Sequence, residues 1–169
     1  MIKTKGIRRL FRHLFSTPWH VMRYFPKTTL NHIEQAIKQS EASHSGELRF
    51  VVEADLHPLD ILNGKLPNAR AIELFSQLRI WDTAHNNGIL IYLLMADRDV
   101  EIIADRGIHA HVGAEGWESI CKAMEAKFRQ GEFEAGVLLG ISLITQQLQQ
   151  HFPANGPNEN ELSDKPLIL

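Results

Sequence analysis

Apolar and polar positions along the chain fall into successive helical and strand periods. Ile7, Leu10, Phe11, Leu14 and Phe15 follow i, i+3, i+4, i+7, i+8 spacing and predict an amphipathic helix, with Arg8, Arg9, Arg12 and His13 on its other side. Pro18 is expected to end it, and Trp19, Met22, Tyr24 and Phe25 follow before Pro26. A helix is expected from Thr28 or Thr29 to about Ser43, with Leu30, Ile33 and Ile37 on one face. Ser43-His44-Ser45-Gly46 breaks it. Leu48, Phe50 and Val52 then alternate with Arg49 and Glu53, which predicts a strand across 47–55. Pro58 to Pro67 reads as a loop, and Asn68 reads as the cap of a helix carrying Ala71, Ile72, Leu74, Phe75 and Leu78 to near Ile80.

The run Ile89 to Ala96 has strand length and no polar alternation, so both of its faces are expected to be covered by helices. Asp97-Arg98 then reads as a two-residue connection to a strand over Asp99 to Asp105, forming an antiparallel hairpin. Gly113 to Arg129 is helical in pattern, with Trp117, Ile120, Cys121, Met124 and Phe128 on one side, and Gly131 stops it. Phe133 to about His151 forms the last helix, whose Gly136 and Gly140 are expected to let its backbone approach the sheet. A crossover helix between the first two strands makes them parallel. The expected fold class is α/β: a three-layer α/β/α sandwich with a small mixed β-sheet, a parallel pair plus an antiparallel hairpin, and helices on both faces. The expected organisation is a basic amphipathic arm over 1–27, one α/β/α domain over 28–152, and a disordered acidic tail over 153–169.

Composition changes this picture little. The chain has 169 residues, 44% of them apolar and 22% charged, which suits one domain with tails. A lone Cys121 excludes a disulfide scaffold, and no apolar run reaches the ~18–20 residues that span a bilayer. Charge changes it more. The net value of −2 hides an asymmetry: residues 1–33 carry seven basic side chains and no acid, and the remainder is strongly acidic. The arm lacks the continuous apolar core of a secretory signal, so a cytoplasmic location is expected, peripheral on the inner face of the membrane. A basic amphipathic helix followed by aromatics suits an anionic membrane surface, each basic group contributing roughly 1 kcal/mol at most. On that reading residues 1–26 meet the membrane, or a membrane-associated protein, through Arg8, Arg9, Arg12, Phe11, Phe15 and Trp19. The alternative is that the stripe packs on the domain itself. Nucleic acid is not expected as a partner, because the domain behind the arm would be repelled by phosphate.

Four segments, in order, resemble the TPM domain family, named for thylakoid-lumen photosystem-repair proteins and a nematode receptor-modulating protein. They are the acid-bearing strand Gly46-Glu47-Leu-Arg-Phe-Val-Val, Asn86-Asn87-Gly88-Ile-Leu-Ile, the hairpin strand Val100-Glu-Ile-Ile-Ala, and Phe128-Arg-Gln-Gly-Glu-Phe133-Glu-Ala-Gly. The resemblance covers roughly residues 30–150 and implies an α/β/α sandwich, divalent-cation binding, often of calcium, and a modest acid phosphatase activity in plant-type members. It also implies a short bacterial cytoplasmic branch, since neither the signal peptide nor the transmembrane tail of many bacterial members is read here. At Asp105-Arg106-Gly107 the chain departs from the Gly-Tyr-Gly of many members.

If Ala96 faces Asp99, the hairpin brings Asp105 and His109-Ala-His111 beside Asp82, His85, Asn86 and Asn87, and the parallel strand adds His44 and Glu47 at the same end. Oxygen ligands from Glu47, Asp82, Asn87 and Asp105 suit a hard divalent cation such as calcium. His109 and His111 share a face only if their segment is extended, as a transition-metal pair requires. Each of these groups also has a structural use: Asn86-Asn87-Gly88 is a turn signal and Asp82 can hold a backbone N–H. The opposite end of the sheet collects an alternative site of Asp55, His57, Asp97 and Asp99, with Asp60 nearby. Cys121 and Arg129 lack a phosphate-cradling loop, and there is no Gly-x-Ser-x-Gly elbow and no P-loop, so any phosphoester hydrolysis must be metal-assisted. The leading expectation is a cation-binding, membrane-associated or protein-interaction module with little or no catalysis. Its rivals are a divalent-metal-dependent acid phosphatase acting on phosphomonoesters and a soluble structural subunit of an oligomer.

Overall fold

A computed structural model describes residues 9–13, 18–156 and 160–169. Residues 9–13 are helical. The elements that follow are α1 (Pro18–Tyr24), α2 (Lys27–Glu41), β1 (Glu47–Glu53), α3 (Pro58–Leu62), α4 (Pro67–Gln77), β2 (Gly88–Leu94), β3 (Asp99–Ala104), α5 (Arg106–Arg129), α6 (Phe133–His151) and β4 (Leu167–Ile168). The four strands form one mixed sheet in the order β3-β2-β1-β4. β1 is parallel to β2 and to β4, and β3 is antiparallel to β2.

Two cores lie on opposite faces of this sheet, as an α/β/α sandwich requires. Leu48, Phe50, Val52, Ile89, Ile91 and Leu93 point to one face, where they meet Val21 of α1, Phe25 just after it, Ile33 and Ile37 of α2, and the inner sides of α5 and α6. Val51, Leu90, Tyr92 and Leu94 point to the other, against Ile61 of α3 and Ala71 and Leu74 of α4. Every residue of β2 is buried, because the strand has covered faces and a neighbour on each side. Burying each such aliphatic side chain contributes roughly 1.5–3 kcal/mol.

Several local expectations are corrected. The hairpin connection is Met95–Arg98 rather than two residues: Leu94 pairs with Asp99, Arg98 adopts φ 54°, and its N–H bonds the Met95 carbonyl at 3.1 Å. Asp-Arg cannot supply the two positive-φ residues that a two-residue turn of this hand demands, so the turn widens until one suffices. Pro58–Leu62 forms a short helix inside the expected loop, and α4 begins at Pro67 in its first turn rather than on an Asn68 cap. α5 begins at Arg106, with a kink at Gly113 (φ 70°) joining two helical pieces. Gly136 and Gly140 bring α6 against α5 and not the sheet, since a Cβ on them would strike Phe128 and Met124. Where a disordered tail was expected, the described residues make specific contacts: Pro153 bridges to His44, and β4 adds to the β1 edge, with Leu169 bonding both Val52 and Ala54. The larger plan of three layers stands as read, with one buried cluster on each face of the sheet.

Candidate functional site

Parallel pairing sets Glu47 opposite Gly88, and the hairpin brings Asp105 to the other flank of the same glycine, its N–H bonding the Gly88 carbonyl at 2.9 Å. Strand alternation then puts Glu47 and Asp105 on the face that carries Val51 and Leu90. Gly88 leaves the gap between them clear of a side chain, and a Cβ there would run into the Ile80 carbonyl oxygen, which lies over it. Glu47 is fully buried. One of its oxygens accepts the Leu162 N–H at 3.0 Å, and Oε1 is buried without a partner. Burial pushes its carboxyl up to about 7, against the pull of the Leu162 and Glu161 N–H groups, and the charges of Glu161 and Asp164 add to the rise. Asp105 is the N-cap of α5, accepting the Arg106 N–H on Oδ1 at 2.7 Å, while its Oδ2 is buried and unpartnered.

Asn87 is fully buried and turns to Ser45, donating to its carbonyl at 2.9 Å, with Oδ1 left unpartnered. Asp82 stays on the surface, its backbone N–H bonding the Arg79 carbonyl. His109 and His111 are corrected outright: both lie in the first piece of α5, two positions apart on a helix, so they point apart. His111 stacks on His151 with ring centroids 4.5 Å apart. Among the described residues no group of three or more His, Cys, Asp or Glu is placed to hold a metal ion. The structure therefore brings together Glu47 and Asp105, and leaves Asp82 and the histidines outside.

One buried acid at this end, Glu41, escaped the sequence reading, and His44, expected here, is buried in a chain of hydrogen bonds. Glu41 accepts the Leu48 N–H at 2.8 Å, and burial raises its carboxyl to about 9; it shares a cavity of about 410 Å³ with Glu47, Lys38, Asn160 and Asp164. His44, whose ring accepts the Gly46 N–H, donates through Nε2 to Ser40 at 2.7 Å; Ser40 continues to Thr145, and Thr145 to the Ile141 carbonyl. Burial lowers the His44 imidazole to about 4, so it is neutral at ordinary pH.

At the opposite end Asp97 is taken by the arm. Arg9 and Arg12 each reach it at 2.8 Å and His13 Nε2 lies at 3.3 Å. Burial alone would raise this carboxyl, but His13 and Arg9 hold it below the usual range. His13 Nδ1 also accepts the Leu56 N–H and Arg9 donates to the Lys65 carbonyl, so residues 9–13 are bonded to the domain. Phe11 and Trp19 face solvent, 55% and 86% exposed; Arg8 and Phe15 lie outside the described residues. His57 caps α3 through the Leu59 N–H. Asp55 is partly buried, which raises its carboxyl. Asp99 turns into a groove beside β3 rather than toward Asp97's partners.

The strongest polar network was not read at all. Arg70 of α4 grips Glu53 of β1 at 2.8 and 3.0 Å, and the buried Tyr92 hydroxyl donates to the same carboxylate at 2.6 Å. The weak signals available were an acid ending an apolar strand and a tyrosine inside an otherwise aliphatic run.

A TPM domain model matches residues 22–147. Among solved structures, the NMR structure of the BA42 protein from the psychrophilic bacterium Bizionia argentinensis is 27% identical, with a TM-score of 0.74 over 84% of this chain and 93% of that one. The solution NMR structure of the N-terminal domain of a P. gingivalis protein is 19% identical, with a TM-score of 0.56 over 72% of this chain and 76% of that one, and shares the fold. No curated protein matches the chain. Among the described residues no helix is long and apolar enough to cross a membrane.

Proposed function

The chain belongs to the TPM domain family, and on that premise we propose that it acts as a cation-binding, membrane-associated or protein-interaction module that performs little or no catalysis. The observation that carries the cation reading is the pair of buried, unpartnered carboxylate oxygens, Glu47 Oε1 and Asp105 Oδ2, on one face either side of Gly88. A buried charged oxygen without a donor is costly, and a hard divalent cation such as calcium relieves that cost while accepting further ligands from carbonyls and water. A calcium titration followed by amide chemical shifts, with magnesium and zinc as controls, tests it. Saturable shifts centred on residues 47, 88 and 105, lost in Asp105→Asn, are expected. No shifts, or shifts confined to Asp55 and Asp99, would overturn it. Phosphomonoester hydrolysis by the cation-loaded protein would move the reading to the phosphatase.

The arm supports the membrane reading separately. Phe11, Trp19 and Met22 project from it, Met22 being 50% exposed, and an exposed tryptophan flanked by basic groups suits a membrane interface. Deleting residues 1–26 would also remove Val21 and Phe25 from the core, so the apt variant is Trp19→Ser with Phe11→Ser. Flotation with anionic vesicles that drops in this variant is the expected result; unchanged flotation removes the arm as the contact.

A further inference from the structure

β3 is an edge strand, and its outer side opens into a groove of about 560 Å³ walled by α4 and α5. Because Asp105 N–H bonds the Gly88 carbonyl, the ladder phase turns the backbones of Glu101 and Ile103 toward β2 and those of Val100, Ile102 and Ala104 outward. No strand among the described residues lies beyond them. The Ile102 N–H meets the Cys121 sulfur of α5, a weak acceptor.

Two further observations point to what the groove accepts. Trp117 lines it, and its indole N–H is buried without an acceptor. Four carboxylates, Asp99, Glu101, Glu118 and Glu125, line the same groove, against one ammonium, Lys122, already paired with Glu118. Asp99 is raised to about 6, by burial first and then by the charges of Glu101 and Glu125, so the acids crowd one another here.

We propose that this groove binds an extended, lysine- or arginine-rich segment of a partner protein, which adds to β3 as a further strand. Main-chain bonds to Val100 and Ala104 would hold it, the Trp117 N–H would meet one of its carbonyls, and alternate basic side chains would fall beside Asp99 and Glu101. Charge complementarity selects this occupant over a second copy of the chain, since pairing two β3 edges would oppose like acids. The site lies apart from Glu47 and Asp105, so it stands whether or not a cation binds there.

The test is a titration of the full chain with a short blocked peptide in which lysine alternates with valine and threonine, read by amide exchange and chemical shift. Slowed exchange at Val100 and Ala104, a shifted Trp117 indole N–H, and affinity falling with salt are expected. Glu101→Lys should weaken binding roughly fivefold. Ala104→Pro, which removes an outward N–H and leaves the β2 ladder intact, should abolish protection at the edge while the amide spectrum stays dispersed. Binding without protection at Val100 and Ala104, equal binding of a glutamate-for-lysine peptide, or equal occupancy by spermine would each overturn the proposal. If Ala104→Pro does not fold, Glu101→Lys and the two control ligands decide it.

Discussion

Glu53 would be a liability on its own: a carboxylate at the end of a buried strand, with an apolar layer beneath it. Arg70 makes it tolerable by a two-pronged grip, and the Tyr92 hydroxyl fills a remaining acceptor position. Removing one partner of such a pair strands the other, which costs more than the pair contributes. Arg70→Met is therefore expected to lower unfolding free energy by about 3–5 kcal/mol, and Tyr92→Phe by about 1–2 kcal/mol, both read from urea midpoints. His44 makes a second case, with pH as the variable. Its imidazole titrates near 4 in the fold against an ordinary 6.5, so the unfolded chain binds the proton first as pH falls. The contribution of the neutral ring is complete above 6.5 and lost as pH drops toward 4. His44→Asn, which keeps an acceptor for the Gly46 N–H, should reduce stability at neutral pH yet flatten the acid limb of the stability profile; an unchanged acid limb would show that other groups govern it.

At the scale of elements, β4 is the least self-sufficient piece. It has two residues, and its hold on β1 comes from Leu169 bonding Val52 and Ala54, assisted by Leu162 on Glu47 and by Arg49, which donates to the Ser163 carbonyl. Truncation before residue 160 is expected to cost about 1–3 kcal/mol and to speed exchange of the Ala54 amide, with β2 amides unaffected. The same element explains where sequence reading ran out. β2 was legible because the eight successive apolar residues from Ile89 to Ala96 admit few placements, and α6 because its period is long. A two-residue strand after a polar stretch has no period to detect, and its identity is set by the β1 edge waiting for it. The first turns of α5 were lost for a related reason: Arg106–Val112 carries few apolar residues, and the helix there is started by the Asp105 cap rather than by a stripe. Glu47 and Asp105 were legible as neighbours because acids at strand ends are ordered by topology alone, and a register error of two residues did not separate them. Arg70 and Glu53 were not, since no strand register relates a helix position to a sheet position. Their meeting is decided by how α4 packs.

For the whole molecule, the decisive feature is that the basic arm and the acidic domain are not independent. Arg9 and Arg12 spend their charge on Asp97, a residue in the β2–β3 turn, and His13 is buried beside them. On the proposed membrane reading, an anionic lipid surface would have to compete with Asp97 for the same guanidinium groups. Asp97→Asn removes the internal competitor while the amide still accepts a hydrogen bond, so the variant should be less stable by about 1–3 kcal/mol and should float with anionic vesicles more readily than the parent chain. Acid acts in the same direction, because Asp97 loses its charge only below the ordinary carboxylate range, and the stabilisation it provides fades as pH falls through that lowered value. Salt separates the two attachments: screening weakens an exposed guanidinium on a lipid surface far more than the partly buried Arg9 on Asp97. An arm that answers to Asp97→Asn with lower stability and unchanged flotation belongs to the domain alone, and one that answers with both is shared between the domain and a membrane.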